Sequence, residues 1–181
     1  MSDFSPRAVD VSAALIWRGD RFFICRRPAN KARAILWEFP GGKAEKGETP
    51  ERALERECLE ELGIPVIVKS EFASVVYEYP DITVHLTLFD TLISEGEPVL
   101  LEHAGSAWIS AGEIGRYEFC PADIELLEAI QKKDALFGMQ KKTLDTFLST
   151  GAIDVSQYEK SLKGLAEKLR MSGRACPDRI C

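Results

Sequence analysis

The stretch from Gly41 to Ile64, GGKAEKGETPERALERECLEELGI, constrains this chain more than any other, because it marks a loop and both ends of the helix that follows. Gly41, Gly42 and Gly47 supply backbone freedom for the loop. Thr49 is a good N-cap and Pro50 suits the first helical position. Gly63 fits the left-handed position that ends many helices, and Pro65 forbids continuation, so the helix is predicted to stop near Leu62. At about 100° per residue, Leu54, Cys58 and Leu62 form an apolar stripe, while Glu57, Glu60 and Glu61 share an adjoining face.

Three acids on one face carry a cost. Glu57 stands at helix-neighbour spacing from both Glu60 and Glu61, and each like-charge pair is unfavourable by roughly 0.2–0.5 kcal/mol. The negative end of the helix adds about 0.3–1 kcal/mol per carboxylate. A solvated acidic face is the plain alternative, since charge runs often mean no more than that. A hard divalent cation such as Mg²⁺, which takes carboxylate oxygens together with substrate phosphates, turns each repulsion into an attraction.

The pattern Gly42, five residues, Glu48, seven residues, Arg56-Glu57, then Glu60-Glu61 and Gly63-Ile64 resembles the Nudix box, with every charged position filled. Cys58 stands where that family usually carries an aliphatic residue, and a free Cys packs as a small hydrophobe. The resemblance implies an α+β fold, the Nudix α/β/α sandwich with a mixed β-sheet. It also implies a metal held by Glu57, Glu60 and Glu61 with the Gly41 carbonyl, Mg²⁺ with Mn²⁺ as the alternative. Gly42, Glu48, Arg56 and Gly63 then have structural parts within the motif.

Arg27-Pro28, a loop and Leu36–Lys43, LWEFPGGK, look like the MutT-type branch of the family. On that likeness Arg27 contacts phosphate or sugar, Phe39 offers a surface to the base and Lys43 meets phosphate; a solvated strand end is the other reading of Arg27. Glu102, six residues before Trp108, matches the acidic residue that in MutT-like relatives returns to the metals, so it joins the box glutamates as a fourth catalytic carboxylate. Pro121-Ala122-Asp123 resembles the place where such relatives present Asn or Asp to the base edge; a carboxylate complementing the helix dipole is the alternative. An ionised Asp only accepts hydrogen bonds, whereas a protonated one also donates.

The activity implied by the resemblance is Mg²⁺-dependent hydrolysis of a nucleoside triphosphate to the monophosphate and pyrophosphate. The leading substrate is 8-oxo-dGTP, with CTP or a modified dCTP as the alternative. A reading of another class is a catalytically silent nucleotide-sensing module; such modules typically lose box carboxylates, and none is lost here. Spacing does not say which carboxylate is the general base.

Elsewhere, β-formers over Val9–Trp17 and Arg21–Arg27 flank Gly19-Asp20 and predict a hairpin. Val66–Glu78 and Ile82–Leu92 read as strands joined at Tyr79-Pro80-Asp81, with a short strand around Ala107–Ile109. His103 reads as an exposed neighbour of Glu102. Pro121–Lys133 reads as an amphipathic helix with Ile124, Leu127 and Ile130 or Leu126 inward. A Nudix domain is expected over residues 1–134 and an extension over 135–181. The extension is predicted to hold a short helix over Lys141–Thr150 and a second one carrying Val155, Tyr158, Leu162, Leu165 and Leu169, with Ser156 and Glu159 as a capping box. Arg170–Cys181 has little periodicity and is expected to be a disordered end.

Charge bears on partners. The formal net charge is -6, with eight Lys/Arg against five Asp/Glu beyond residue 134 and fifteen against twenty-four before it. An acidic body argues against a polymeric nucleic acid partner and leaves the single nucleotide. The helical hairpin packs on that body or on a second copy, so monomer and homodimer both stay open. Five cysteines without Cys-x-x-Cys spacing indicate neither a disulfide framework nor a zinc site. No apolar run reaches the roughly 20 residues that span a membrane, and the first residues lack the marks of a signal peptide, so a cytoplasmic protein is expected.

Overall fold

The computed structural model describes residues 8–175. Strand β1 (Ala8–Arg18) turns through Gly19, at φ 58°, into β2 (Arg21–Arg26), the predicted hairpin. Two strands too short to mark themselves in the sequence follow: β3 (Trp37–Glu38) pairs with β2, and β4 (Gly41–Lys43) pairs with β1. Helix α1 (Pro50–Leu62), β5 (Val66–Glu78), β6 (Thr83–Ile93) and β7 (Gly105–Ser110) come next. A 3₁₀ turn (Ala111–Arg116) leads to α2 (Pro121–Ser149) and α3 (Val155–Leu169). The sheet order is β3-β2-β1-β6-β5, with β4 against β1 and β7 against β2; β6 runs parallel to β1, so the sheet is mixed.

Period two divides β1 between two cores. Ala13, Leu15 and Trp17 face one core with Phe22, Ile24 and the α2 residues Leu126, Leu127 and Ile130. Ala14 and Ile16 face the other with Phe23, Cys25 and the α1 stripe Leu54, Cys58 and Leu62. A strand covered on both faces reads as a continuous apolar run, as Ala13–Trp17 does. The result is the expected α/β/α sandwich.

The ends of α1 are those predicted. Thr49 Oγ1 accepts from Arg52 N at 3.3 Å, and Gly63, at φ 64°, donates to the Leu59 carbonyl. The carbonyls of Leu62 and Glu61 accept from Val99 and Leu101 at 2.9 Å, so the loop between β6 and β7 is laced to the helix end.

The extension departs from expectation. Helix α2 is one element of 29 residues, where a stop near Lys133 and a restart at Lys141 were expected. Gly138 weakens it by about 1 kcal/mol, but Phe137, 2% exposed, packs with Leu165 and Ala166 of α3 and holds the helix through this point. Within α2, Leu126, Leu127 and Ile130 point inward, whereas Ile124 is half exposed. The α3 capping box is Asp154 with Gln157 rather than Ser156 with Glu159. After Arg170 the chain folds back: Met171 is fully buried in the α2-side core, and Ser172–Ala175 form a 3₁₀ turn against the body. Five residues are too few to show a period. Cys25, Cys58 and Cys120 are buried free thiols, while Cys176 and Cys181 lie outside the described residues. No helix among the described residues is long and apolar enough to cross a membrane.

Candidate active site

Two glycines bring strand β4 into the site. A Cβ on Gly41, at φ 144°, would lie 2.1 Å from the Ser12 carbonyl oxygen of β1. One on Gly42 would lie 2.4–2.7 Å from the carboxylate atoms of Glu57. Only glycine lets the loop lie between β1 and the acidic face of α1.

Arg56 braces loop and helix together. Its Nε and Nη2 donate to Glu48 at 3.1 and 3.0 Å, and Nη2 also donates to the Lys43 carbonyl at 3.1 Å. Nη1 donates to Glu57 at 2.9 Å and to Glu60 at 3.1 Å. Arg56 thereby joins Glu48 of the loop to the helix and holds its carboxyl below the usual range. Among the described residues no three His, Cys, Asp or Glu side chains converge as ligands of one ion, because Glu57 and Glu60 turn toward Arg56.

Glu61 is different. It is 7% exposed, its Oε2 accepts from Gly41 N–H at 3.3 Å, and burial pushes its carboxyl up to about 7. His103 and the Gly41 N–H oppose that shift, and Glu57 and Glu38 add to it. A carboxylate stripped of water and short of donors is what a hard cation compensates. The all-oxygen donor set of Glu57, Glu60, Glu61 and the Gly41 carbonyl, with the cradle that Gly42 leaves open, fits a divalent ion.

A second group lies beyond β3. Arg27 forms a part-buried ion pair with Glu38 and donates from Nε to the Ala32 carbonyl at 2.8 Å, so it is not a solvated strand end. His103 corrects the expectation of an exposed neighbour: its side chain is 4% exposed and its Nε2 lies 3.6 Å from Glu38 and 3.8 Å from Glu61. Ala104 N–H bonds to the Arg26 carbonyl and Leu101 N–H to that of Glu61, both at 2.9 Å, and these two anchors turn His103 inward. Glu38 and His103 are the site residues that sequence reasoning missed. Glu38 sits inside LWEFPGGK, and His103 alternates with Glu102, the only signals either gave.

Glu102 lies on the same loop with an exposed carboxylate, paired to Lys31 at 2.8 Å and held below the usual range by it. The Lys43 side chain is exposed. Phe39 requires a correction: its ring is 3% exposed and packs 5.9 Å from the Phe22 ring in the core, so it presents no open face to a base. Its main chain faces the site instead, with N–H 3.4 Å from Asp123 Oδ1. Asp123 is 4% exposed, and burial, then Glu38, push its carboxyl up to about 8. That shift favours its protonated form, which can both donate and accept.

Residues 12–129 match the NUDIX domain. Over 123 residues the chain is 39% identical to CTP pyrophosphohydrolase of Escherichia coli (strain K12), spanning 68% of this chain and 91% of that protein. Over 115 residues it is 39% identical to 8-oxo-dGTP diphosphatase of the same strain, spanning 62% of this chain and 88% of the other. The crystal structure of the MutT protein from Methanosarcina mazei Go1 superposes with a TM-score of 0.66 at 25% identity, over 73% of this chain and 99% of that one. The match to this family, with relatives named as pyrophosphohydrolase and diphosphatase, makes the chain a hydrolase. The chain belongs to the NUDIX domain family and is a Nudix pyrophosphohydrolase; its family generally uses a divalent metal.

Proposed function

We propose that this enzyme hydrolyses 8-oxo-dGTP to the monophosphate and pyrophosphate with Mg²⁺, Mn²⁺ being the alternative ion, in a cytoplasmic nucleotide pool. The observation that carries the reading is the buried Asp123, whose Oδ1 lies 3.4 Å from the Phe39 N–H and whose carboxyl burial and Glu38 push up to about 8. Glu57, Glu60, Glu61 and the Gly41 carbonyl hold the metal, and Glu102 joins them on exchanging its Lys31 partner. When bound, the metal neutralises phosphate oxygens and lowers the pKa of an attacking water. Arg27 grips phosphate or sugar and Lys43 the phosphates, which orients the chain of phosphates for in-line attack.

Asp123 faces the base. A protonated carboxyl donates to one acceptor and accepts from an adjacent N–H. The oxidised guanine offers that pair as O6 beside N7–H, where ordinary guanine has a bare N7. Cytosine offers a similar pair as N3 beside its amino group. CTP or a modified dCTP is therefore the second reading, supported also by the CTP-hydrolysing relative.

The test is a panel of natural and oxidised nucleoside triphosphates with Mg²⁺, resolving pyrophosphate from orthophosphate. The expected result is pyrophosphate release with 8-oxo-dGTP ahead of dGTP and CTP in kcat/KM. A cytidine nucleotide in first place assigns the second reading, orthophosphate release refutes the bond, and no turnover favours a sensor.

A further inference from the structure

Packing alone gives no reason for a histidine at position 103. The side chain is 4% exposed, and Nδ1 is buried with no hydrogen-bond partner among the described residues. An unpaired buried nitrogen costs about 1–3 kcal/mol, so an apolar side chain of similar volume would serve a core position better. The other nitrogen, Nε2, faces two carboxylates, at 3.6 Å from Glu38 Oε1 and 3.8 Å from Glu61 Oε2. As an N–H, that nitrogen is placed to donate toward either carboxylate.

The carboxylate oxygens around it are divided. Glu38 gives Oε2 to Arg27 and turns Oε1 to His103. Glu61 turns Oε2 to His103 and to the Gly41 N–H, which leaves Oε1 as the oxygen to meet a cation. The two His103 separations lie within ion-pair reach and are longer than direct hydrogen bonds; contacts of this kind tighten as a site engages its substrate.

We propose that His103 is the positioning residue of Glu61: through Nε2 it fixes the orientation of that carboxylate, and through Glu38 it ties the metal side of the site to Arg27 on the nucleotide side. The proposal rests on Glu61 as a metal ligand and is independent of the base that is bound. Outer partners of ligating groups are typically worth 10–100-fold in metal affinity or activity, and that is the size of effect expected here.

The experiment uses the full chain with His103→Leu, which keeps bulk and removes the donor, and His103→Gln, which keeps an N–H donor. Mn²⁺ binding to nucleotide-free protein is read by electron paramagnetic resonance, and kcat and KM are measured separately with Mg²⁺. His103→Leu is expected to weaken Mn²⁺ binding and lower kcat by about 10–100-fold with little change in KM, and His103→Gln to recover most of that loss. Circular dichroism and thermal melting report whether each variant is folded. A folded His103→Leu with native Mn²⁺ affinity overturns the proposal, as does a folded His103→Gln impaired to the same degree. Should His103→Leu not fold, His103→Asn replaces it as the variant with a shorter reach; equal Mn²⁺ affinity for Asn and Gln then overturns the proposal. Because the metal titration contains no nucleotide, a failed substrate assignment leaves this result standing.

Discussion

Replacing Met171 by alanine is expected to destabilise the whole Nudix body, although the family match ends at residue 129. Met171 is fully buried in the cluster that holds Leu15, Phe22, Leu126 and Ile130. Truncating a buried methionine costs about 2–5 kcal/mol, out of a total domain stability of about 5–15 kcal/mol. For a chain of this length each kcal/mol lowers Tm by about 2–4 °C, so the expected fall is roughly 4–20 °C. Neighbouring contacts make collapse of the cavity difficult and favour the upper part of that range. Asp90, 1% exposed on β6, accepts from Ser172 N at 3.1 and 3.0 Å and from Ser172 Oγ at 2.5 Å. Arg170 donates to the Glu71 carbonyl, and Arg174 pairs with Asp134 at 2.9 Å while lying over the rings of Trp17 and Phe137. The assay is calorimetric melting of the full chain, with turnover measured where both proteins are folded. Met171 packs in the core on the α2 side, whereas the α1 stripe packs in the other, so kcat should be unchanged. A fall within about 1–2 °C, the range of an ordinary surface substitution, would refute the claim that this segment seals the core.

Gly42→Ala would set a methyl group 2.4–2.7 Å from the Glu57 carboxylate, so the loop or that side chain must move. Turnover should fall by about 100-fold, the cost of an ångström-scale misplacement, with little loss of Tm; a native rate would remove Gly42 from the site. Asp123 has its carboxyl raised to about 8 in the fold, against about 3.9 unfolded. A raised acid contributes stability that is complete below the unfolded value and is lost as pH climbs through the folded one. The native protein without metal should therefore melt progressively lower between about pH 4 and 8, and Asp123→Asn should flatten that slope. A slope unchanged by the substitution would refute the buried-acid assignment. In turnover, Asp123→Asn should alter base preference more than maximal rate.

Both ends of α1 were legible because caps are local: Thr49, Pro50 and Gly63 act on their own backbone and need no partner from afar. The three-layer architecture was legible through the resemblance carried by the Gly42–Ile64 pattern, and the two cores on either side of β1 then account for its apolar run. Strands β3 and β4, of two and three residues, were not, since pairing with β2 and β1 makes them strands and no periodicity fits in so short a span. The length of α2 was decided by Phe137 meeting α3, a tertiary contact that overrides a weak point at Gly138. His103 was misplaced for the same kind of reason, as two hydrogen bonds to elements far away in sequence set which way it points.

Like-charge repulsion along α1 is weaker than helix spacing implies, because Arg56 donates to both Glu57 and Glu60 from within the same helix. The acid that stays uncompensated is Glu61, with one main-chain N–H at 3.3 Å and His103 at 3.8 Å. The electrostatic demand for a cation is thus concentrated on Glu61 instead of spread over three glutamates. That makes a prediction opposite in sign for stability and for function. Its carboxyl titrates at about 7 in the fold against about 4.3 unfolded, so keeping it ionised above neutrality costs on the order of 3 kcal/mol without metal. Glu61→Gln removes that cost while keeping the shape. At about pH 8 the metal-free variant should melt several degrees above the native protein, converge with it near pH 4, and lose turnover by orders of magnitude. A variant that melts lower at high pH would show that Glu61 is already satisfied in the fold, and the cation would then have to be drawn by Glu57 and Glu60 against the pull of Arg56.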